Sequence, residues 1–156
     1  MMGTDAWNEV LNVNLNGVFQ CSKAAVKLMA AQGQGVIINI GSGAGLVAMP
    51  GQVNYSAAKA GLLGFSRSLA RGMAPKGVRV MLVAPGFFKS EMSETLTKEF
   101  IEETFRLTPL GRWGLPEELA SLVAFLASDE ARCFTGHVVT IDGGRGGIET
   151  EFGLAV

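Results

Sequence analysis

No acidic residue occurs between Glu9 and Glu91, an interval that holds Lys23, Lys27, Lys59, Arg67, Arg71, Lys76, Arg79 and Lys89. Most of the carboxylates come later, and the net charge is only -1, so no bulk attraction to nucleic acid is expected. The basic interval reads first as solvated helix faces. Cysteine is scarce: Cys21 and Cys133 provide neither a disulfide framework nor a metal-ligand spacing, which suits a reduced, cytoplasmic protein without a metal. The single histidine, His137, has no partner in a catalytic pattern and reads as structural. Apolar runs are too short, or too broken by glycine and charge, to span a bilayer, and the amino terminus lacks the layout of a signal peptide. No repeat and no low-complexity linker divides the chain.

What is present fits one domain with a sizeable core: 156 residues, 48% hydrophobic and 17% charged. Its organising stretch is VIINIGSGAGLVAMPGQVNYSAAKAGLLGFSRSLAR, Val36 to Arg71. Val36 to Ile40 is too short for a helix and rich in β-branched residues, so it predicts a buried strand. Gly41-Ser42-Gly43 leaves Ser42 at the carboxyl end of that strand. Past Pro50-Gly51, a helical pattern runs from Val53 to Met73. It carries Tyr55 and Lys59, four residues apart and therefore on one helix face. An ammonium held beside a phenol favours the phenolate by direct attraction, so that the ring oxygen can trade a proton at working pH. Ser42, delivered by the strand, could hydrogen-bond the same substrate oxygen.

The glycines of GSGAG, Gly41 to Gly45, do not make a dinucleotide phosphate loop. Such a loop needs a helix to open at once and an acidic residue about twenty positions on. Here Pro50-Gly51 intervenes, and no acid appears before Glu91. These small residues are expected to leave room for substrate beside Ser42.

Ser42, Tyr55 and Lys59, with the strand before them and the small-residue helix around them, resemble the catalytic segment of the short-chain dehydrogenase/reductase family. The resemblance is to its 3-oxoacyl-(acyl carrier protein) reductase-like branch. It extends over nearly the whole chain. WNEVLNVNLNGVFQCSKAA lies in a helix expected to be capped by Thr4 or Asp5 and to end near Gln32-Gly33-Gln34-Gly35. It is similar to the family's fourth-helix motif, with Asn14 in the position of the catalytic asparagine, which connects the active-site lysine to solvent through water at a local break in the helix. Val78 to Val83 predicts the next buried strand. The segment from Ala84 to Ser90 resembles P-G-x-x-x-T, beyond the carboxyl end of that strand, where ligands of open parallel sheets bind. The resemblance implies that Pro85, Gly86, the Phe88 backbone and the Ser90 hydroxyl meet the nicotinamide end of NAD or NADP, with Tyr55 and Lys59 at its ribose. Met81 replaces the family's usual asparagine, which implies a lost polar contact and looser packing.

Ser93 to Leu107 predicts an acidic, amphipathic lid helix over substrate, Pro109 to Gly114 a loop, and Pro116 the first turn of another helix. His137 to Ile141, followed by Asp142-Gly143-Gly144, matches the family's last strand. The expectation is therefore an α/β fold: a partial Rossmann-type parallel sheet of about three strands, family strands 5-6-7, flanked by helices. Residues 1–144 form the catalytic portion and 145–156 a tail. The family's T-G-x-x-x-G-x-G loop and N-N-A-G strand have no counterpart here, so the pyrophosphate and adenine side of the fold is missing, and the outer edge of Val36–Ile40 is expected to pair with another chain.

By the same resemblance, the function is NAD(P)-dependent interconversion of a ketone and an alcohol. The carbonyl substrate is small or bound to an acyl carrier, and the basic interval could meet a phosphate-bearing cofactor or an acidic carrier. The resemblance also implies a homodimer or homotetramer, since in the family the counterpart of the small-residue helix Val53–Met73 pairs across a subunit boundary. The competing expectation is a truncated, cofactor-free module that oligomerises with itself or with full-length relatives.

Overall fold

The computed structural model describes residues 2–47 and 49–146; of the expected tail, residues 147–156 lie outside them. Helix α1 (Thr4–Leu11) passes through a π-helical turn (Asn12–Asn16) into α2 (Gly17–Gln32). Thr4 and Asp5 lie inside the first turn rather than capping it; the cap position falls to Gly3, in extended backbone, whose carbonyl accepts from Trp7. Gly33, in the left-handed region at φ 71°, ends α2 where a side chain would be strained.

Strand β1 (Gly35–Ile40) leads to α3 (Val53–Met73), then β2 (Val78–Pro85), α4 (Lys98–Arg106), α5 (Pro116–Ala127) and β3 (Val138–Ile141). The strands form one parallel sheet in the order β1-β2-β3. All three carboxyl ends therefore open on the same side, and β1 is an edge strand. The central strand β2 is almost continuously buried, as expected for a parallel strand covered on both faces.

On one face, α3 presents a stripe at four-residue spacing, Asn54, Ala58, Leu62, Ser66 and Ala70, all buried. The core cluster holds Met81, Val83, Leu126 and Ala131, with Val36, Ile38, Leu119, Leu122, Val139 and Ile141 packed around it. Met81, where the family usually has asparagine, is fully buried in this cluster, and its thioether asks for no hydrogen-bond partner there.

The expected lid helix is split. A 3₁₀ turn spans Glu91–Thr95, and α4 starts afresh because the Thr97 hydroxyl accepts from the Phe100 amide at 3.3 Å. At the start of α5, Glu118 accepts from the Leu115 amide at 2.7 Å and pairs with Arg112 at 2.7 Å; the guanidinium holds this carboxyl down to about 2.

Candidate active site

Three chain segments converge at the carboxyl ends of β1 and β2. The first is the exit of β1. Gly41 donates to the Val83 carbonyl at 2.7 Å, and a Cβ on Gly41 would press on Leu82 at 3.1 Å, so the exit lies tight against β2. Ser42 caps a short 3₁₀ turn (Gly43–Gly45), its Oγ accepting from the Ala44 amide at 3.1 Å. Gly45 does not leave room for a ligand, as the sequence suggested. A Cβ there would lie 2.7 Å from the Lys59 carbonyl carbon and 2.8 Å from the Ala60 nitrogen, so the glycine lets the turn dock on the α3 backbone.

The second segment is the first two turns of α3. Asn54 accepts from the Tyr55 amide at 2.8 Å and donates to the Ala6 carbonyl of α1 at 3.2 Å, fixing where the helix begins. One turn on, the Lys59 ammonium donates to the Ile40 carbonyl at 3.1 Å and lies 5.5 Å from the centre of the Tyr55 ring. The expected i, i+4 proximity is present, with the ammonium over the ring face. Partial burial pushes the Lys59 pKa below the ordinary lysine value. Deeper along α3, Ser66 accepts from the Asn39 amide at 2.9 Å, both side chains buried. This bond pins β1, whose exit carries Ser42, to α3, which carries Tyr55 and Lys59.

Asn14 sits in the π turn, half-buried, with its amide donating to the Val10 carbonyl at 3.2 Å. The expected break in the helix is there. Leu15, the next residue, packs on α3 at Gly61, where a Cβ would approach it to 3.0 Å. Asn14 is thus carried beside the helix of Tyr55 and Lys59 without bonding either directly.

The third segment follows β2. Pro85 pairs in register with Ile141, and the Gly86 amide donates to the Ile141 carbonyl at 3.0 Å. A Cβ on Gly43 would sit 3.6 Å from the Pro85 carbonyl, which brings the Ser42 turn alongside Pro85. Beyond it, Lys89 donates to the Gly114 carbonyl and Gly114 to the Phe87 carbonyl, at 3.0 and 2.9 Å. That bridge engages the neighbours of Phe88 and leaves its own amide and carbonyl without partners among the described residues. A donor and acceptor side by side suit a primary carboxamide such as that of nicotinamide. Ser90 is exposed, its amide held by the Ser93 hydroxyl at 2.9 Å. Against Ser90 and Ser93 lies a cavity of about 540 Å³, walled by Ile101, Phe105 and Trp113. Trp113 is buried, donates to the Thr104 hydroxyl at 2.9 Å and stacks on Phe87 at 5.6 Å.

The structure brings Ser42, Tyr55, Lys59, Pro85 and Gly86 to one end of the sheet, with Phe88 and Ser90 on the segment beyond. Asn39 and Asn54 support this arrangement and drew no notice in the sequence, since each acts through a partner distant along the chain; Gly45 supports it in a role other than the one expected. The His137 Nδ1 lies 2.9 Å from the Thr135 carbonyl, and its ring packs against Phe134. Among the described residues no group of histidines, cysteines and acids could hold a metal, and no helix is long and apolar enough to cross a membrane.

A family model described as enoyl-(acyl carrier protein) reductase matches residues 1–145. The chain is 48% identical over 144 residues to a 3-oxoacyl-[acyl-carrier-protein] reductase of Synechocystis sp., covering 92% of this chain and 57% of that relative. It is 44% identical over 143 residues to the reductase of the same description from Thermotoga maritima, covering 92% of this chain and 58% of that relative. Among solved structures, a gluconate 5-dehydrogenase from Burkholderia cenocepacia in complex with NADP and tartrate superposes with a TM-score of 0.91 at 32% identity, covering 95% of this chain and 59% of that one. The chain therefore spans less than two thirds of the length of these relatives.

Proposed function

The chain belongs to the short-chain dehydrogenase/reductase family, and from that premise we propose that it is the catalytic portion of an NAD(P)-dependent oxidoreductase interconverting a ketone and an alcohol. The observation that carries this reading is the convergence of Ser42, Tyr55 and Lys59 at the end of β1, beside the unpartnered Phe88 amide and carbonyl after β2. A reduced nicotinamide, when bound, supplies the hydride. The Phe88 backbone and the Ser90 hydroxyl would hold its carboxamide, with Pro85 and Gly86 beside it. Ser42 turns its hydroxyl to the substrate carbonyl and fixes its orientation. Tyr55 gives its phenolic proton to the carbonyl oxygen as the carbon is reduced. Lys59 has one ammonium hydrogen on the Ile40 carbonyl and two left for ribose hydroxyls, and its charge favours the phenolate that Tyr55 becomes. Asn14, in the π turn, supports the path by which a proton returns from solvent.

The ketone is a 3-oxoacyl group or a related small carbonyl compound, free or carried on an acyl carrier. Its chain fits the cavity beneath Ile101, Phe105 and Trp113. The active assembly is a homodimer or homotetramer, built through the outer face of α3, where Ala57, Ala60 and Gly64 are exposed. A second reading is favoured by the unpaired edge of β1: a cofactor-free module that assembles with itself or with full-length relatives.

Titration of the chain with NADH and NADPH, followed by nicotinamide fluorescence, separates the two. Saturable binding in the micromolar range, weakened by Lys59→Ala, supports the oxidoreductase. No response to either nucleotide supports the module.

A further inference from the structure

Two peptide planes flank Gly114, and each is held at both edges. The plane between Trp113 and Gly114 gives its N–H to the Phe87 carbonyl at 2.9 Å, while its carbonyl accepts from Arg112 Nη1 at 3.0 Å. In the next plane the Gly114 carbonyl accepts from the Lys89 amide at 3.0 Å, while the Leu115 amide donates to Glu118 Oε2 at 2.7 Å. Arg112 and Glu118 are themselves joined by a two-pronged pair, Nη1 to Oε2 at 2.8 Å and Nη2 to Oε1 at 2.7 Å. The bond from Glu118 to the Leu115 amide is enough to cap α5, and the bond from Arg112 to the Trp113 carbonyl lies outside that cap.

A peptide is planar, so fixing one edge orients the other. The ion pair therefore sets the tilt of both planes, and through them the tilt of the segment from Phe87 to Lys89. In a parallel bridge of this pattern the residue between the two bonds turns its own amide and carbonyl the other way. That residue is Phe88. A Cβ on Gly114 would collide with the Phe88 ring, so the glycine leaves Phe88 its place. Exposed ion pairs add little to stability by themselves. With side chains 52% and 40% exposed, this pair matters through the peptides it holds. We propose that Arg112 and Glu118 position the nicotinamide, by fixing the tilt of the Phe88 backbone that takes its carboxamide. This rests on the oxidoreductase reading and adds two positioning residues to it, neither of which touches the cofactor.

The test uses the full chain as wild type, Arg112→Gln, Arg112→Lys and Glu118→Gln, the last keeping an acceptor for the Leu115 amide. NMR titrations compare NAD and NADP, each with its 3-acetylpyridine counterpart, in which a methyl group replaces the amide nitrogen and offers the Phe88 carbonyl no donor. Wild type is expected to bind the carboxamide nucleotide about fivefold more tightly, the worth of one hydrogen bond. Arg112→Gln and Glu118→Gln abolish that preference and leave affinity for the analogue unchanged. Arg112→Lys, which keeps the charge but not the fork, retains part of it. Without nucleotide, the Lys89 and Gly114 amides exchange faster in both glutamine variants. Four outcomes overturn the proposal and leave the oxidoreductase reading standing: a wild type indifferent between the members of a pair, a preference that survives both glutamine variants, an equal loss of affinity for both members, or unchanged exchange at Lys89 and Gly114. A wild type that binds none of the four nucleotides overturns both.

Discussion

Lys59 has two neighbours that pull on it differently. The Ile40 carbonyl and the Tyr55 ring face welcome its charge, while partial burial disfavours it and lowers its pKa. A lysine whose pKa is lower in the folded than in the unfolded chain binds fewer protons when folded, so stability rises with pH across the interval between the two values. The stability difference between wild type and Lys59→Gln should therefore shift in favour of wild type as pH climbs from about 7 towards the ordinary lysine value of 10.5; urea unfolding of both proteins measures it. Tyr55→Phe should lower kcat for ketone reduction about 10²–10⁴-fold in the assembly that turns over, with KM little changed, since only the transferable proton is lost. A Phe variant within a few-fold of wild type would remove Tyr55 from the chemistry. At this scale the sequence was legible where chemistry follows local spacing. Tyr55 and Lys59 are one helical turn apart, and Ser42 follows a strand. Asn39 with Ser66 and Asn54 with Ala6 were not legible, because their partners are 27 and 48 positions away.

Secondary-structure elements show the same division. The boundaries of α3 and the position of β2 followed from the helical pattern and the apolar run, and the structure places them accordingly. Thr97 broke the expected helix over residues 93–107: amphipathic spacing continued across it, but a threonine side chain can satisfy a free helix-start amide, and here it does. Gly45 was misjudged for a related reason, since a small residue gives no sign of whether it makes way for a ligand or for backbone. It makes way for α3. Gly45→Ala should cost about 1–3 kcal/mol, because the new methyl meets main-chain atoms that cannot swing aside. Equilibrium denaturation gives this value, and nicotinamide binding should weaken in parallel as the Ser42 turn lifts from Lys59. Gly64→Ala, where a Cβ meets nothing within 4 Å in the single chain, should be neutral or slightly stabilising for the fold of that chain, measured below the concentration at which it associates.

For the molecule as a whole, the exposed edge of β1 is the unsettled surface. Beside it, between α2 and β1, runs a groove of about 620 Å³ lined by Val18, Cys21, Ala25 and Val36 to Ile40. Edge amides in an apolar setting invite another strand. Hydrogen exchange of residues 36–40 should slow as protein concentration rises, in step with a larger species in sedimentation velocity. Rapid, concentration-independent exchange on a sedimenting monomer would show that the edge stays wet. The Asn39–Ser66 bond bears on how such an edge is allowed to move. Slipping β1 by one residue against α3 would bring isoleucine, at position 38 or 40, to the Ser66 hydroxyl and strand both polar groups. Thermal agitation or a newly arriving strand can thus fray or bend this edge, but it cannot easily shift it lengthwise. The serine at its tip stays in phase with the helix that carries the tyrosine, whatever comes to lie alongside.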